Sequence, residues 1–251
     1  MANINGKQID TLKVDVLDKG YVRLEAITGN DLSTVNSARV SYDRKVNEFT
    51  EKDKRLIRFL AKHGHTSPFR HAFVTFEAYA PLMVARQWWK YIIGSDHDEA
   101  RRDPFTAWNE SSRRYITEEP EFYVVQPNEW RSAPENSKQG SGEIVNNTLG
   151  ELATVELTRM YEQGLKRYEW AMEQGICAEQ ARLFLPAYGL YVRWYWSASL
   201  QGVATLLNQR LEHDAQKEFQ LYAHAIWELM KEHFPVSINE LVKYADKESS
   251  I

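Results

Sequence analysis

The chain has 251 residues, 43% of them hydrophobic and 26% charged, with a formal net charge of −4 at pH 7. This profile describes a soluble globular protein able to bury one sizeable core, read here as a single domain over 1–251, and it argues against a protein that coats nucleic acid by counterion release. The single cysteine, Cys177, excludes an intrachain disulfide and a multi-cysteine zinc site, and the lack of a secretory or membrane-length apolar run predicts a cytoplasmic protein with no membrane partner.

Val14 to Thr28 alternates polar and apolar residues around Asp18-Lys19-Gly20 and predicts a β-hairpin. A helix follows into Val40 with Asp31 or Ser33 as its cap, and a second starts at Thr50-Glu51-Lys52-Asp53 and ends near His63-Gly64. His71 to Ala80 is rich in β-branched and aromatic residues and predicts a strand stopping at Pro81, after which a helix runs from Leu82 to about Ile93. Gly94 to Pro104 reads as a polar loop, Glu121 to Val125 as a strand, and Gln126 to Gly142 as a mobile loop.

A long amphipathic helix is predicted from Glu143 to Gln174, with apolar faces built from Leu149, Leu152, Val155, Leu157, Met160, Tyr161 and Leu165, and with Gly175 ending it. A short helix over Ala178 to Leu185, a strand over Leu190 to Ser197, and helices starting at Leu200, at Ala215 and after Ser237 complete the chain. The fold class is therefore α+β, a small antiparallel sheet with helices packed on one side. Neither a Rossmann nor a P-loop glycine pattern is present, so a bound nucleotide or flavin must be held by side chains from separate segments.

Asn109-Glu110-Ser111-Ser112-Arg113-Arg114-Tyr115, preceded by Ala85-Arg86-Gln87-Trp88-Trp89-Lys90, concentrates the groups that an anionic, planar ligand requires. Arg86 and Arg182 both sit in apolar surroundings and, if inward, need an anion. Arg210 ends an apolar helix, where it either offsets the macrodipole or meets a ligand. His63, His65 and His71 lie close in sequence, but no acidic or thiolate ligand stands at suitable spacing, so no metal is expected; capping or ligand contact by His65 and Ser67 remains. Cys177 has no adjacent histidine and is expected to be a buried, inert thiol.

Taken in order, Gly29 to Ser33, Ala38 to Tyr42, Lys62 to His71, Ala85 to Trp88, Asn109 to Tyr115, Ala181 to Pro186 and Asn208 to Arg210 resemble the flavin-dependent thymidylate synthases. The resemblance implies a homotetramer with active sites at subunit interfaces, binding FAD, dUMP, methylenetetrahydrofolate and NADPH. It places dUMP contacts on Gln87, Lys90, Glu110, Ser111, Ser112, Arg113, Arg114, Arg182 and Arg210. It places flavin contacts on Ser41, Ser67, Lys90, Glu110, Ser199, Gln201 and Thr205, and catalytic roles on Arg210 and His65, with His63 and His71 structural. An enzyme of this kind needs no activated cysteine, in agreement with the setting of Cys177. Where many members carry Arg-His-Arg, this chain has Lys90-Tyr91-Ile92 followed by an insertion from Gly94 to Phe105, in which Arg101 or Arg102 is expected to supply the missing positive charge. Competing readings are a nucleotide- or flavin-binding relative without turnover and a nucleic-acid module that stacks bases on its tryptophans.

Overall fold

The computed structural model describes residues 12–93, 106–114, 119–135 and 140–243, together with the backbone of 3–4 and 7–8. The Gly94 to Phe105 insertion, with Arg101 and Arg102, lies outside the described residues, as does Tyr115.

A short antiparallel pair, β1 (Asn3–Ile4) and β2 (Lys7–Gln8), precedes the predicted hairpin, which forms from β3 (Lys13–Val16) and β4 (Gly20–Thr28). With β5 (Phe73–Pro81), β6 (Ala107–Glu110) and β7 (Tyr191–Ser199) they build a five-stranded antiparallel sheet in the order β3-β4-β5-β7-β6. The register sets Glu77 of β5 between Arg23 of β4 and Tyr195 of β7. Because side chains alternate along each strand, Val22, Leu24, Phe76, Ala78, Trp194 and Trp196 all reach one face and are buried there.

That face is covered by α3 (Leu82–Trp88), α6 (Leu200–Arg210) and α7 (Lys217–His233). Trp88 is fully buried, edge-on to Trp194 at 5.2 Å and to Trp196 at 5.6 Å, and stacked on Phe219 at 5.7 Å. A 3-10 turn, Trp89–Ile93, continues α3.

On the opposite face, Glu77 is 5% exposed and receives hydrogen bonds from Tyr21 and from Arg23 Nη2 at 2.8 Å, with Arg193 Nε at 3.6 Å. Burial works to raise its pKa, but hydrogen bonds from Tyr21 and Tyr195 and the charges of Arg23 and Arg193 outweigh it and hold the carboxyl below its usual range.

The remaining helices are α1 (Asp31–Arg39), α2 (Glu51–Lys62), α4 (Asn147–Glu173), α5 (Ala178–Ala181) and α8 (Ser237–Leu241). The Thr50 cap of α2 is as expected, Asp53 returning the bond to the Thr50 backbone N–H at 2.8 Å. At α1 the cap is Asn30, one residue before Asp31, with Ser33 reciprocating. Asp31 instead accepts from the Val236 and Ser237 N–H groups at 2.8 and 2.9 Å and so ties α1 to α8.

One further expectation is corrected: Glu121 to Val125 does not form a strand, and Phe122 makes only an isolated bridge to Leu190. Within Gln126 to Gly142 several described residues pair with the segment that follows. Arg131 bridges Ile144, and Ser132 N–H donates to Glu143 O at 2.8 Å.

Helix α4 ends as predicted at Gly175, whose φ of +77° favours glycine. It buries Tyr161 but leaves Leu152, Val155 and Met160 exposed at 57%, 52% and 48%. Its inner side approaches backbone closely: a Cβ on Gly150 would lie 1.9 Å from the Pro127 carbonyl oxygen.

Gly150→Ala therefore forces α4 off the Gln126 to Gly142 loop and is expected to cost about 1–3 kcal/mol, read as a lowered thermal midpoint. Because the folded pKa of Glu77 is depressed, its stabilisation is present above the unfolded value of about 4.3 and is lost as pH falls through the folded value. Glu77→Gln should lower stability at pH 7 by about 1–3 kcal/mol and flatten the acid limb of the stability curve, measured by denaturant unfolding across pH.

Candidate active site

Arg210, the last residue of α6, is half-buried and turns toward α3. Its Nε donates to the Tyr91 hydroxyl at 2.8 Å and its Nη1 to Gln87 Oε1 at 3.0 Å, while its guanidinium carbon lies 5.4 Å from the Phe219 ring. These partners are neutral, and among the described residues no carboxylate pairs with Arg210. The guanidinium is held in place without being neutralised. Of the two readings open from sequence, macrodipole compensation alone does not account for such a directed set of contacts.

A second group forms where β6 ends. The chain there leaves the sheet and turns at Arg113 and Arg114, and Ser111 and Arg113 join Arg193, Tyr79, Lys19 and Glu121 around a cavity of about 440 Å³. Ser111 is fixed to β7 by its N–H to Arg193 O at 2.8 Å and by its Oγ, which accepts from Arg193 N–H at 3.1 Å. Arg114 Nε donates to Ser112 Oγ at 3.1 Å, and its Nη1 lies 3.4 Å from Glu179 Oε1. Arg182 Nε donates to the Glu179 carbonyl oxygen at 3.3 Å. Ser112, Arg114 and Arg182 are thus brought together around Glu179.

Arg182 and Arg86 are both exposed, correcting the expectation that either is sunk in apolar surroundings. The 3-10 turn Arg182–Phe184 faces outward, Leu183 being 80% exposed. Cys177 is likewise exposed, at the cap position of α5, rather than buried. Glu110 retains exposed surface, yet loss of hydration raises its carboxyl pKa against the opposing Trp108 indole N–H, 3.3 Å away, and the Arg86 charge.

The third group is Ser41, His65 and Ser67. They line a cavity of about 450 Å³ together with Tyr42, Leu56, Phe59, Pro68 and His71, the His65 ring stacked on Phe59 at 6.0 Å. His63 also packs on Phe59, at 4.5 Å. The 3-10 turn Ser67–Arg70 rests on α6, which carries Gln201 and Thr205. Ser199 is fully buried and its Oγ accepts from Gly202 N–H at 3.1 Å, so its side chain caps α6. Thr205 Oγ1 donates to Gln201 O at 3.1 Å. Gln201 Oε1 is buried without a hydrogen-bond partner among the described residues. The cavity's apolar walls and serine hydroxyls fit a planar cofactor, while Ser199, Gln201 and Thr205, at the cap of α6 and along it, stand behind the Ser67–Arg70 turn and are not among the residues that line it. Lys90 is exposed on the turn after α3.

Of the residues that hold Arg210, Gln87 was expected as a site residue, while Tyr91, and Gln209 that accepts from it, stood inside motifs already singled out without a role of their own. Gln216, Glu218 and Glu179 gave no signal.

The sequence profile of the thymidylate synthase complementing protein family matches residues 23–236. The flavin-dependent thymidylate synthase of Thermotoga neapolitana is 36% identical over 94% of this chain and 97% of its own. That of Thermus thermophilus is 36% identical over 90% of this chain and 77% of its own, and that of Wolbachia pipientis is 31% identical over 95% and 80%. The crystal structure of the UMP/dUMP methylase PolB from Streptomyces cacaoi with 5-Br dUMP superposes with a TM-score of 0.73 at 24% identity, covering 90% of this chain and 96% of that one, which establishes the shared fold. By profile and by relatives, this chain belongs to the flavin-dependent thymidylate synthase family.

Proposed function

We propose that the protein methylates dUMP to dTMP, taking the carbon from methylenetetrahydrofolate and using NADPH to reduce a bound FAD, as a cytoplasmic homotetramer of single-domain subunits. The observation that carries this reading is the un-neutralised guanidinium of Arg210, gripped by neutral partners beside Gln87. A cation so placed stabilises negative charge developing on the pyrimidine ring as its N3 proton is lost. Gln87 contributes an oriented amide next to that ring.

Ser112, Arg114 and Arg182 bind the phosphate, two guanidinium groups and a hydroxyl matching its oxygens. Ser111, Arg113 and Glu110, on the same segment as Ser112 and Arg114, supply further nucleotide contacts in this reading, and Lys90 adds a point charge toward either ligand. Ser41, Ser67, Gln201 and Thr205 offer hydroxyls and an amide to the flavin, Ser199 shapes the turn from which Gln201 projects, and His65 borders the same cavity. When bound, the flavin supplies the hydride that completes the methyl group.

The exposed apolar stripe of α4 and the outward Leu183 support assembly, since neighbouring apolar residues at this exposure favour burial against another subunit. Arg182 lies beside Leu183, so the same contact would dehydrate the phosphate site and strengthen it. Among the described residues no helix is long and apolar enough to cross a membrane.

The direct test is the absorbance spectrum of the purified protein under anaerobic NADPH, followed by dUMP and methylenetetrahydrofolate. Flavin bands that bleach and then recover with dTMP formation are expected; failure to take up FAD, or ligand binding with no dTMP, rejects the reading. Arg182→Ala should weaken dUMP binding by about ten- to a hundredfold, the loss of a charge-assisted contact, while the thermal midpoint stays near wild type. The dissociation constant for dUMP, measured by calorimetry, checks it.

A further inference from the structure

Beyond Gln87, the contacts of Arg210 continue in one direction. Gln87 Oε1 accepts from Arg210 at 3.0 Å, and Gln87 Nε2 donates to Gln216 Oε1. Gln216 Nε2 then donates to Glu218 Oε2 at 3.0 Å, and the other oxygen of Glu218 accepts from Arg131 Nη2 at 2.5 Å. Each amide is polarised the same way, so neither can flip without losing both of its bonds. On the other flank, the Tyr91 hydroxyl accepts from Arg210 Nε at 2.8 Å and donates to Gln209 Oε1 at 2.7 Å. Tyr91 is 2% exposed and Glu218 5%, so both ends of the arrangement are locked by packing.

We propose that Tyr91 and the Gln216–Glu218 pair are positioning residues for Arg210, holding its guanidinium from both flanks through neutral groups, with the Glu218 carboxylate reached only through two amides. This rests on the reading that Arg210 acts on the pyrimidine. Nε and Nη1 lie on opposite edges of the guanidinium, so the two grips fix its plane, and Nη2 has no acceptor among the described residues. A carboxylate in direct contact would hold the group as firmly but would cancel part of the charge the reaction uses. Amide spacers avoid that loss. The anchoring charge of Glu218 is itself paired with Arg131, which extends the arrangement from α7 to the Gln126 to Gly142 loop.

The test compares Tyr91→Phe and Gln216→Ala, each alone and combined with Arg210→Ala, by kcat, KM for dUMP, direct dUMP affinity and thermal midpoint. Neither substitution removes core volume: the phenylalanine keeps the ring, and Gln216 is half-buried at the start of α7. Each single variant should lower kcat by about tenfold, the loss of one hydrogen bond in the set that holds a charged group, with dUMP affinity within about twofold of wild type. In the Arg210→Ala background neither should lower kcat further, because a residue that acts through Arg210 has nothing left to position. Single variants with wild-type kcat, or losses that multiply with that of Arg210→Ala, overturn the positioning roles alone. An Arg210→Ala enzyme that turns over like wild type overturns the underlying reading as well.

Discussion

Burial of Trp88 is the interaction on which the rest of the molecule depends. Its indole fills the space between the sheet, through Trp194 and Trp196, and α7, through Phe219. The residue before it is Gln87, and Tyr91 follows on the next turn, so fixing this ring fixes both groups that grip Arg210. The core and the candidate site are two sides of one helix. Among the described residues the indole N–H groups of Trp88, Trp194 and Trp196 are all buried without hydrogen-bond partners, a cost of about 1–3 kcal/mol each that the aromatic contact area must offset.

The two faces of the sheet divide the electrostatic work. On the outer face Glu77 is surrounded by hydrogen-bond donors and guanidinium groups and is held ionised, which makes that region an internally satisfied network. Around Arg210 the neighbours are a hydroxyl and an amide. Tyr91 is pushed toward the protonated form by burial, opposed by the nearby Arg210 charge, and a protonated hydroxyl can accept from Arg210 while donating to Gln209. The first arrangement stabilises a fold; the second preserves an unsatisfied charge.

Much of this was legible in the sequence because local patterns determined it. Alternation around Asp18-Lys19-Gly20 marked the hairpin, Thr50 and Asp53 marked the start of α2, and Gly175 marked the end of α4. What escaped depended on tertiary partners. Both Asn30 and Asp31 can cap a helix, and only α8, whose N–H groups occupy Asp31, decides between them. Arg182 looked buried because Leu183 and Phe184 are apolar, yet the turn that carries them faces outward, as does Cys177 just before α5. The Ser41, His65 and Ser67 group came from an ordered likeness across distant segments, while Gln216 meets Gln87 across more than a hundred residues, with Glu218 behind it, where no spacing rule applies.

Glu179 shows how the anion side of the site can remain ready within one chain. Arg114 reaches its carboxylate at 3.4 Å and Arg182 its backbone carbonyl at 3.3 Å, so one residue draws both guanidinium groups together. The ion pair is long, and its partners are 42% and 62% exposed, so it is worth less than about 1 kcal/mol. A phosphate carries more charge than a carboxylate and offers more acceptor oxygens. It can therefore take Arg114 from Glu179 at little cost, while the carbonyl contact of Arg182 leaves most of that guanidinium's donors available. A stronger internal pair would organise the arginines better and hold the anion out. The weak contact found here keeps them close together and exchangeable.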